Sequence, residues 1–138
     1  MRPVPVVILS HRKQEFLETC LASLKEHAIG LGRTVVMDDS GDADHHAWLD
    51  DHGIDYSVVD IKKNAGYLTA MNRVWDVARR QAADAGSDYV MLWEEDFVLT
   101  ERLLVDEMAI LMDQDPLLAQ LNLQRQPVYR VERMHGYM

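Results

Sequence analysis

Short apolar runs typical of buried strands alternate with amphipathic helix patterns along nearly the whole chain. Parallel strands need long crossover connections, and a helix is the usual one. The alternation therefore predicts an α/β fold, a three-layer sandwich built on a mainly parallel sheet. Strands are predicted at residues 4–9, 34–37, 56–59, 89–93 and 118–123, with helices between them, the first two at 13–28 and 43–51.

The helix predicted before the fourth strand carries an apolar stripe at spacings of three and four residues, and Gly86 ends it. We expect this stripe to be buried and the three tryptophans to belong to the core. A last helix is predicted with Thr100 as its N-cap and Leu104 on its apolar face, ending near Pro116. The stripe of the earlier helix consists of Leu68, Met71, Trp75, Ala78 and Ala82.

Composition narrows the class of protein. The chain has 138 residues, enough for one domain with a single core. Its formal net charge of −9 argues against nonspecific binding to nucleic-acid backbones, which requires a concentrated basic face. No stretch has the roughly 20 apolar residues of a membrane span, and the start lacks a signal-peptide core. With Cys20 as its single cysteine, the chain is expected to be cytoplasmic.

Acidic residues directly follow two of the predicted strands. Asp38 and Asp39 come after the second strand, and residues 94–96 (Glu-Glu-Asp) come after the fourth. A parallel sheet opens its ligand crevice at the carboxyl ends of its strands. Carboxylates gathered there repel one another unless a cation or a hydrogen-bond donor joins them. The arrangement points to a site for a nucleotide sugar and a divalent cation.

The second acidic cluster supplies hard oxygen ligands suited to Mg²⁺ or Mn²⁺, which in turn would hold a diphosphate. Alternation along an extended segment puts Glu94 and Asp96 on one side and Glu95 on the other. Asp96 is the first candidate for the metal ligand, and Glu94 supports it at the metal or at the ribose. The alternative is a solvated acidic loop before a helix.

Asp39 is the candidate for reading the base. A carboxylate accepts a hydrogen bond from the ring N–H of uracil, thymine or guanine, whereas cytosine and adenine present an acceptor at the equivalent position. The alternative is that Asp38 and Asp39 only form a turn or cap the next helix. His45 and His46, with Asp42 nearby, superficially suggest a transition-metal site. Adjacent side chains point in different directions, so we interpret the pair as a solvated helix start.

Four segments, in this order, resemble the motifs of the family 2 glycosyltransferases, which are inverting enzymes of the GT-A fold. A short polar loop follows the first strand, and an acidic run similar to Asp-Asp-x-Ser-x-Asp follows the second. An Asn-x-Gly-x-x-x-Ala-x-Asn pattern comes next, and an acidic triplet then stands at the family's Asp-x-Asp position. The segments are Ser10-His11-Arg12, Asp38-Asp39-Ser40-Gly41-Asp42, residues 64–72 and Glu94-Glu95-Asp96.

This resemblance implies a fold of the GT-A nucleotide-diphospho-sugar transferase type and metal-dependent transfer of a sugar with inversion. The implied donor is a nucleotide-diphosphate sugar, with UDP the nucleotide, and the acceptor is unknown. The implied cofactor is Mn²⁺ or Mg²⁺, held by Asp96 and Glu94. The implied nucleotide-binding residues are Ser10, His11, Arg12, Asp38, Asp39, Asn64, Gly66, Asn72 and Glu95.

The family places its general base and most acceptor contacts in a second half beyond the Asp-x-Asp strand. Fewer residues follow Asp96 here, and in the region where the family's base would be expected the ionisable candidates besides arginines are Glu132 and His135. We therefore expect residues 1–138 to form a single nucleotide-sugar-binding domain whose acceptor-binding half is largely absent. Such a half-sheet would leave an edge uncovered, which predicts a homo-oligomer or a partner chain.

Two alternatives follow from the missing half: a binding module that transfers nothing, and one half of a split glycosyltransferase. A third interpretation, from another class, is a phosphoacceptor receiver domain, which shares the size and the α/β alternation. Receivers place their acidic pair after the first strand and a lysine after the fifth. Here the first strand leads into Ser10-His11-Arg12, and no lysine follows Lys63, so this class is rejected.

Overall fold

The computed structural model describes residues 3–59, 66–121 and 123. Its main sheet has four strands, all parallel, in the spatial order β4-β3-β1-β5. A separate pair of two-residue strands, also parallel, joins the end of the first helix to a later segment. The strands are β1 (Val4–Ser10), β2 (Ala28–Ile29), β3 (Leu31–Asp38), β4 (Tyr56–Val58), β5 (Met91–Glu94) and β6 (Leu103–Leu104).

Helices cover both faces of the main sheet, as a three-layer α/β arrangement requires. On one face, α1 and α2 share a core with the side chains of Val6, Ile8 and Val36. On the other face, α3 packs against Val7 and Val35. The helices are α1 (Gln14–His27), α2 (Ala43–Asp51), α3 (Tyr67–Ala85) and α4 (Val105–Gln114). The predicted α/β class and mainly parallel sheet are confirmed.

The chain reverses its direction across the sheet beside β1. It runs from β1 to β3 and β4 on one side, and then returns through α3 to β5 on the other side of β1. In open parallel sheets this point of reversal is where ligands bind, outside the carboxyl ends of the strands. Register pairs Ser10 with Asp38 and Leu9 with Glu94, so the polar ends of three strands lie side by side.

A proline in the central strand marks a local irregularity at the opposite end of the sheet. Val4 pairs with Leu31 while Val6 pairs with Thr34, so the register shifts across Pro5. Proline cannot donate to a strand ladder, and bulges are among the few places where a sheet accepts it. Beyond the shift, pairing from Val6 onward is regular and carries the strands to the polar edge.

The predicted buried face of α3 is only partly right. Ala78 is buried as predicted, but Leu68 is 80% exposed and Trp75 is 51% exposed. The stripe that packs on the sheet shares Ala78 with the predicted one and otherwise consists of different residues. Periodicity fits both stripes, and the buried one has the smaller side chains, which allow a helix to lie close to a sheet. The buried residues are Ala70, Val74, Val77 and Ala78.

Two predictions near the end of the chain are also wrong. Thr100 does not cap α4, because the helix begins at Val105 and the two preceding leucines pair with β2. No strand forms in the described part of residues 118–123. There the Leu118 N–H donates to the Asp115 carbonyl oxygen at 2.9 Å, and the Leu117 N–H donates to the Asp115 carboxylate. These bonds make a local turn instead of a strand ladder.

Backbone contacts divide the chain into two units, Met1–Glu107 and Met108–Met138. The first unit contains the whole main sheet with α1, α2 and α3, and the second begins within α4. Across the described ranges, no helix combines the length and the apolarity of a membrane span. All the candidate site residues that the structure describes precede Glu107, so they belong to the first unit.

Cys20 lies on the buried face of α1, directly behind the carboxyl end of β5. Its thiol approaches the carbonyl oxygen of Glu94 at 3.8 Å. Burial, with smaller contributions from the nearby Glu95 and Asp96 carboxylates, raises the pKa of Cys20 to about 12. The thiolate is the reactive species, so this cysteine is a packing residue in the folded protein.

We predict that Cys20 does not react with a disulfide reagent at pH 8 until the protein is unfolded in urea. The measurement is the amount of thiolate that the reagent releases over time, with and without urea. The exposed variant Ala83→Cys is the control, and its added cysteine should release one equivalent of that thiolate rapidly from the reagent in the folded state. Reaction of folded wild-type protein at the rate of that control would contradict the burial of Cys20.

Candidate functional site

A layer of buried polar side chains lies at the carboxyl edge of the main sheet. Burying such groups is costly in free energy unless each one is hydrogen-bonded, so every polar atom of the layer is expected to have a partner. The ends of β1, β3 and β5 and one residue of α2 contribute to it. The buried residues are Ser10, Asp38, Asp39, His45 and Glu95.

Glu95 joins the end of β5 to the end of β1. Its Oε2 accepts a hydrogen bond from the Ser10 hydroxyl at 2.6 Å, and its Oε1 accepts from the backbone N–H of His11 at 2.9 Å. Its own N–H donates to the Leu9 carbonyl oxygen at 3.1 Å, which extends the strand pairing by one bond. Both carboxylate oxygens are therefore satisfied inside the protein, and the residue is 5% exposed.

Asp38, at the end of β3, is fully buried and also has both oxygens occupied. Its Oδ1 accepts from the Ser40 N–H at 3.1 Å, and its Oδ2 accepts from the Ser40 hydroxyl at 2.9 Å. The His46 ring nitrogen Nε2 lies 2.7 Å from the same Oδ2. Asp38 thus holds the turn after β3 and the start of α2 against the sheet.

His45 lies beneath this turn and is 2% exposed. Its Nε2 is 3.5 Å from the Ser10 hydroxyl and 3.7 Å from Asp38 Oδ1, and its Nδ1 is 3.5 Å from the Gln14 amide. Burial lowers the pKa of His45 below its ordinary value of about 6.5. The carboxylates of Asp38 and Glu95 oppose that effect without overcoming it. A neutral imidazole is therefore the favoured form inside the layer.

Asp39 differs from the other buried carboxylates. Its backbone N–H donates to the Ser10 carbonyl oxygen at 3.0 Å, which places it beside the end of β1. Its Oδ1 is buried and has no hydrogen-bond partner among the residues that the structure describes. Its Oδ2 faces His11, whose Nδ1 is 4.0 Å away. A buried carboxylate with an unused acceptor is unusual and suits a donor that a ligand brings.

The loop after β1 is held in a strained conformation next to Asp39. Arg12 has φ of +65°, the one positive value at a non-glycine position in the described chain. Such strain persists only where surrounding contacts enforce it, and it is concentrated at functional sites. The Arg12 guanidinium pairs with Asp42, the N-cap of α2. The N–H groups of Asp44 and His45, followed by the nearby Arg12, hold the pKa of Asp42 below its usual range.

The acidic turn after β5 presents two carboxylates to solvent. Glu94 and Asp96 are exposed while Glu95 is buried, and the Phe97 N–H closes the turn on the Glu94 carbonyl oxygen at 3.1 Å. The Lys13 ammonium is 4.0 Å from Asp96 Oδ2. No three His, Cys, Asp or Glu side chains converge on a metal geometry within the described residues. The two exposed carboxylates suit a cation that takes its other ligands from water and phosphate.

The remaining candidates belong, in sequence, to α3 and to the segment that precedes it. Gly66 precedes α3 with φ of +82°, a conformation that favours glycine, and a Cβ added there would meet no atom within 4 Å. Asn72 is exposed on α3, the helix on the opposite face of the sheet from α1. Asn64 lies outside the described residues, as do Lys62 and Lys63.

The interpretation of His45 and His46 as a solvated helix start is wrong. His45 is buried, and His46 bonds to Asp38. The ring of His46 also stacks on that of Tyr56, with 5.3 Å between the ring centroids. The sequence did contain a signal for the first of these. His45 stands four residues before the buried Leu49, so it shares the face of α2 that packs on the sheet.

The structure thus brings Ser10, His11, Asp38, Asp39 and Glu95 together at one edge, with Glu94 and Asp96 on the adjoining turn. Arg12 belongs to the same loop through its bond to the α2 N-cap. Comparison with models of protein families and with curated proteins found no match to this chain.

We predict that His45 makes the protein less stable as the pH falls below about 6.5. A histidine with a lowered pKa in the folded state binds its proton first in the unfolded state, so acidification favours unfolding. The slope from one such proton cannot exceed about 1.4 kcal/mol per pH unit. Urea unfolding of wild-type protein and His45→Gln at pH 7.5 and 5.5 measures the difference.

The matched control is His52→Gln, because His52 is exposed at the end of the same helix. This variant should keep the acid sensitivity of the wild-type protein, whereas His45→Gln should lose part of it. Equal loss of unfolding free energy on acidification in all three proteins would refute the role given to His45.

Proposed function

We propose that this chain is a glycosyltransferase domain of the GT-A type that binds a nucleotide-diphosphate sugar, with UDP as the nucleotide. The observation that carries the proposal is Asp39, a buried carboxylate at the point where the sheet reverses direction, with one oxygen that accepts no hydrogen bond from the described residues. The fold, the polar loop after β1 and the exposed acidic turn after β5 support the same assignment.

Asp39 suits a base that presents a ring N–H. A carboxylate accepts but cannot donate, so it favours uracil, thymine and guanine over cytosine and adenine. His11, with its side chain 46% exposed and its Nδ1 4.0 Å from Asp39, provides an imidazole plane beside that carboxylate. Glu95 accepts the backbone N–H of His11 and is itself held by the Ser10 hydroxyl, so the loop is ordered before a ligand binds.

The diphosphate would lie toward the acidic turn. Asp96, with Glu94 beside it, would hold Mn²⁺ or Mg²⁺, and both carboxylates are exposed hard-oxygen donors as those ions require. When bound, the ion supplies positive charge beside the diphosphate as the sugar–phosphate bond breaks. In a chain with a net charge of −9, that charge also offsets the repulsion of an anionic ligand.

A second candidate function is binding of the nucleotide sugar without transfer. Inverting transfer needs a general base, and the buried carboxylates of Asp38 and Glu95 are both saturated by internal hydrogen bonds. The two ionisable candidates from the sequence, Glu132 and His135, lie outside the described residues. Release of sugar from a UDP-sugar, measured with and without acceptor glycans, separates transfer from binding alone.

Calorimetric titration of UDP, GDP, dTDP and CDP, with and without Mn²⁺, tests the proposal directly. We expect UDP to bind more tightly with Mn²⁺ than without it, and CDP to bind weakly in both conditions. Absence of binding by all four nucleotides would overturn the assignment and leave a likeness of fold alone.

We predict that Asp39→Asn weakens UDP binding about fivefold to tenfold, because a hydrogen bond to a charged acceptor is stronger than one to a neutral amide by about 1 kcal/mol. The same variant should reduce the preference for UDP over CDP, because the amide can donate to the ring nitrogen of cytosine. Asp84→Asn, at an exposed position on α3, is the control. An unchanged ratio of UDP to CDP affinity would exclude Asp39 as the base reader.

We predict that Asp96→Asn weakens UDP binding in Mn²⁺ by about tenfold or more and does not weaken binding in EDTA. The loss follows from removing one anionic ligand of the cation while the exposed position keeps the fold intact. Titrations in both buffers, with a thermal unfolding scan, make the measurement. If the affinity in Mn²⁺ equals that of Asp84→Asn, the metal assignment fails.

A further inference from the structure

We propose that Lys13 is the resident counter-cation of the acidic turn, and that the divalent cation and the diphosphate together displace it from Asp96 onto the phosphates. This inference rests on the proposed function and adds to it a coupling between cation and nucleotide. It concerns the side chain that follows the strained residue Arg12 at the start of α1.

The first argument is where Lys13 lies. Its ammonium is 4.0 Å from Asp96 Oδ2 and 5.6 Å from the centre of the Phe16 ring. The carboxylate and the aromatic face both attract a cation and hold the amine beside the turn. Arg12, the neighbouring basic residue, is already paired with Asp42. Lys13 is thus the basic residue of this loop that stands at the exposed carboxylates.

The second argument is how weakly Lys13 is held. Both partners of the ion pair are about half exposed, at 50% and 47%, and such surface pairs contribute little to stability. A lysine ammonium sits on a flexible four-carbon stem and changes partners easily. Arg12 is paired more closely, because its Nη2 lies 2.5 Å from Asp42 Oδ2, whereas the Lys13 pair is 4.0 Å apart.

The third argument is charge balance at Asp96. An ammonium and a divalent cation on the same carboxylate repel each other, so a bound cation would weaken the hold of Asp96 on Lys13. A diphosphate brought by that cation offers the amine a stronger anionic partner within reach of the same turn. Without nucleotide, Lys13 competes with the divalent cation for Asp96. With nucleotide bound, Lys13 pairs with the diphosphate and strengthens nucleotide binding. Cation and nucleotide should therefore bind cooperatively, each strengthening the other by the same factor.

The variant Lys13→Met tests this, because it keeps the length of the stem and removes the charge. We expect it to bind Mn²⁺ about twofold to fivefold more tightly than wild-type protein when no nucleotide is present, as measured by the electron paramagnetic resonance signal of free Mn²⁺. In saturating Mn²⁺ it should bind UDP about tenfold more weakly, as measured by calorimetry. These two effects have opposite signs, which general damage to the site would not produce.

The matched control is Lys25→Met, the same substitution at an exposed position in the last turn of α1. It should behave as the wild-type protein in both titrations. Equal or weaker Mn²⁺ binding by Lys13→Met than by this control, or unchanged UDP binding in Mn²⁺, would overturn the role of Lys13. Failure of the wild-type protein to bind UDP would instead overturn the proposed function, and the Mn²⁺ titration would still judge Lys13.

Discussion

The candidate site depends on one buried carboxylate, Glu95, and on the two hydrogen bonds that it accepts from the neighbouring strand. Because it receives the Ser10 hydroxyl and the His11 N–H, it ties the turn after β5 to the loop after β1. The strand pairing itself runs only as far as Glu94, so these two bonds extend the connection between β1 and β5 into the loop and the turn that follow them. Burial strengthens these bonds, since water cannot compete for the donors.

Around this link the structure separates carboxylates with structural tasks from those available to a ligand. Asp38 and Glu95 are saturated by internal donors, and Asp42 caps α2. Within the described part of the chain, Asp39 has an acceptor oxygen without a hydrogen-bond partner, and Asp96 is exposed beside a weakly held lysine. Saturated groups resist rearrangement, whereas under-satisfied or weakly paired ones gain most from a ligand. This division supports Asp39 and Asp96 as the residues on which binding experiments should concentrate.

Much of the fold could be predicted from the sequence, because the strand patterns are short, apolar and separated by helices. The buried face of α3 could not be predicted, because two stripes of residues at helical spacing compete and the larger residues, Leu68 and Trp75, lie on the exposed stripe. Burial there was decided by how closely the helix lies against Val7 and Val35, which requires small side chains. Likewise, Leu103 and Leu104 form a strand because they pair with β2, which is distant in the sequence.

By itself, the sequence determined the α/β class, the carboxyl-end position of both acidic clusters, and which residue types stand there. It did so because alternation and strand length depend on local pattern alone. Only the tertiary structure decided which carboxylates are consumed internally, that His45 is buried among them, and that Lys13 comes beside Asp96. The oxygens of Asp38 are filled by residues two and eight positions away, but the other outcomes depend on contacts between residues 35 to 85 positions apart, and no local pattern encodes such distances.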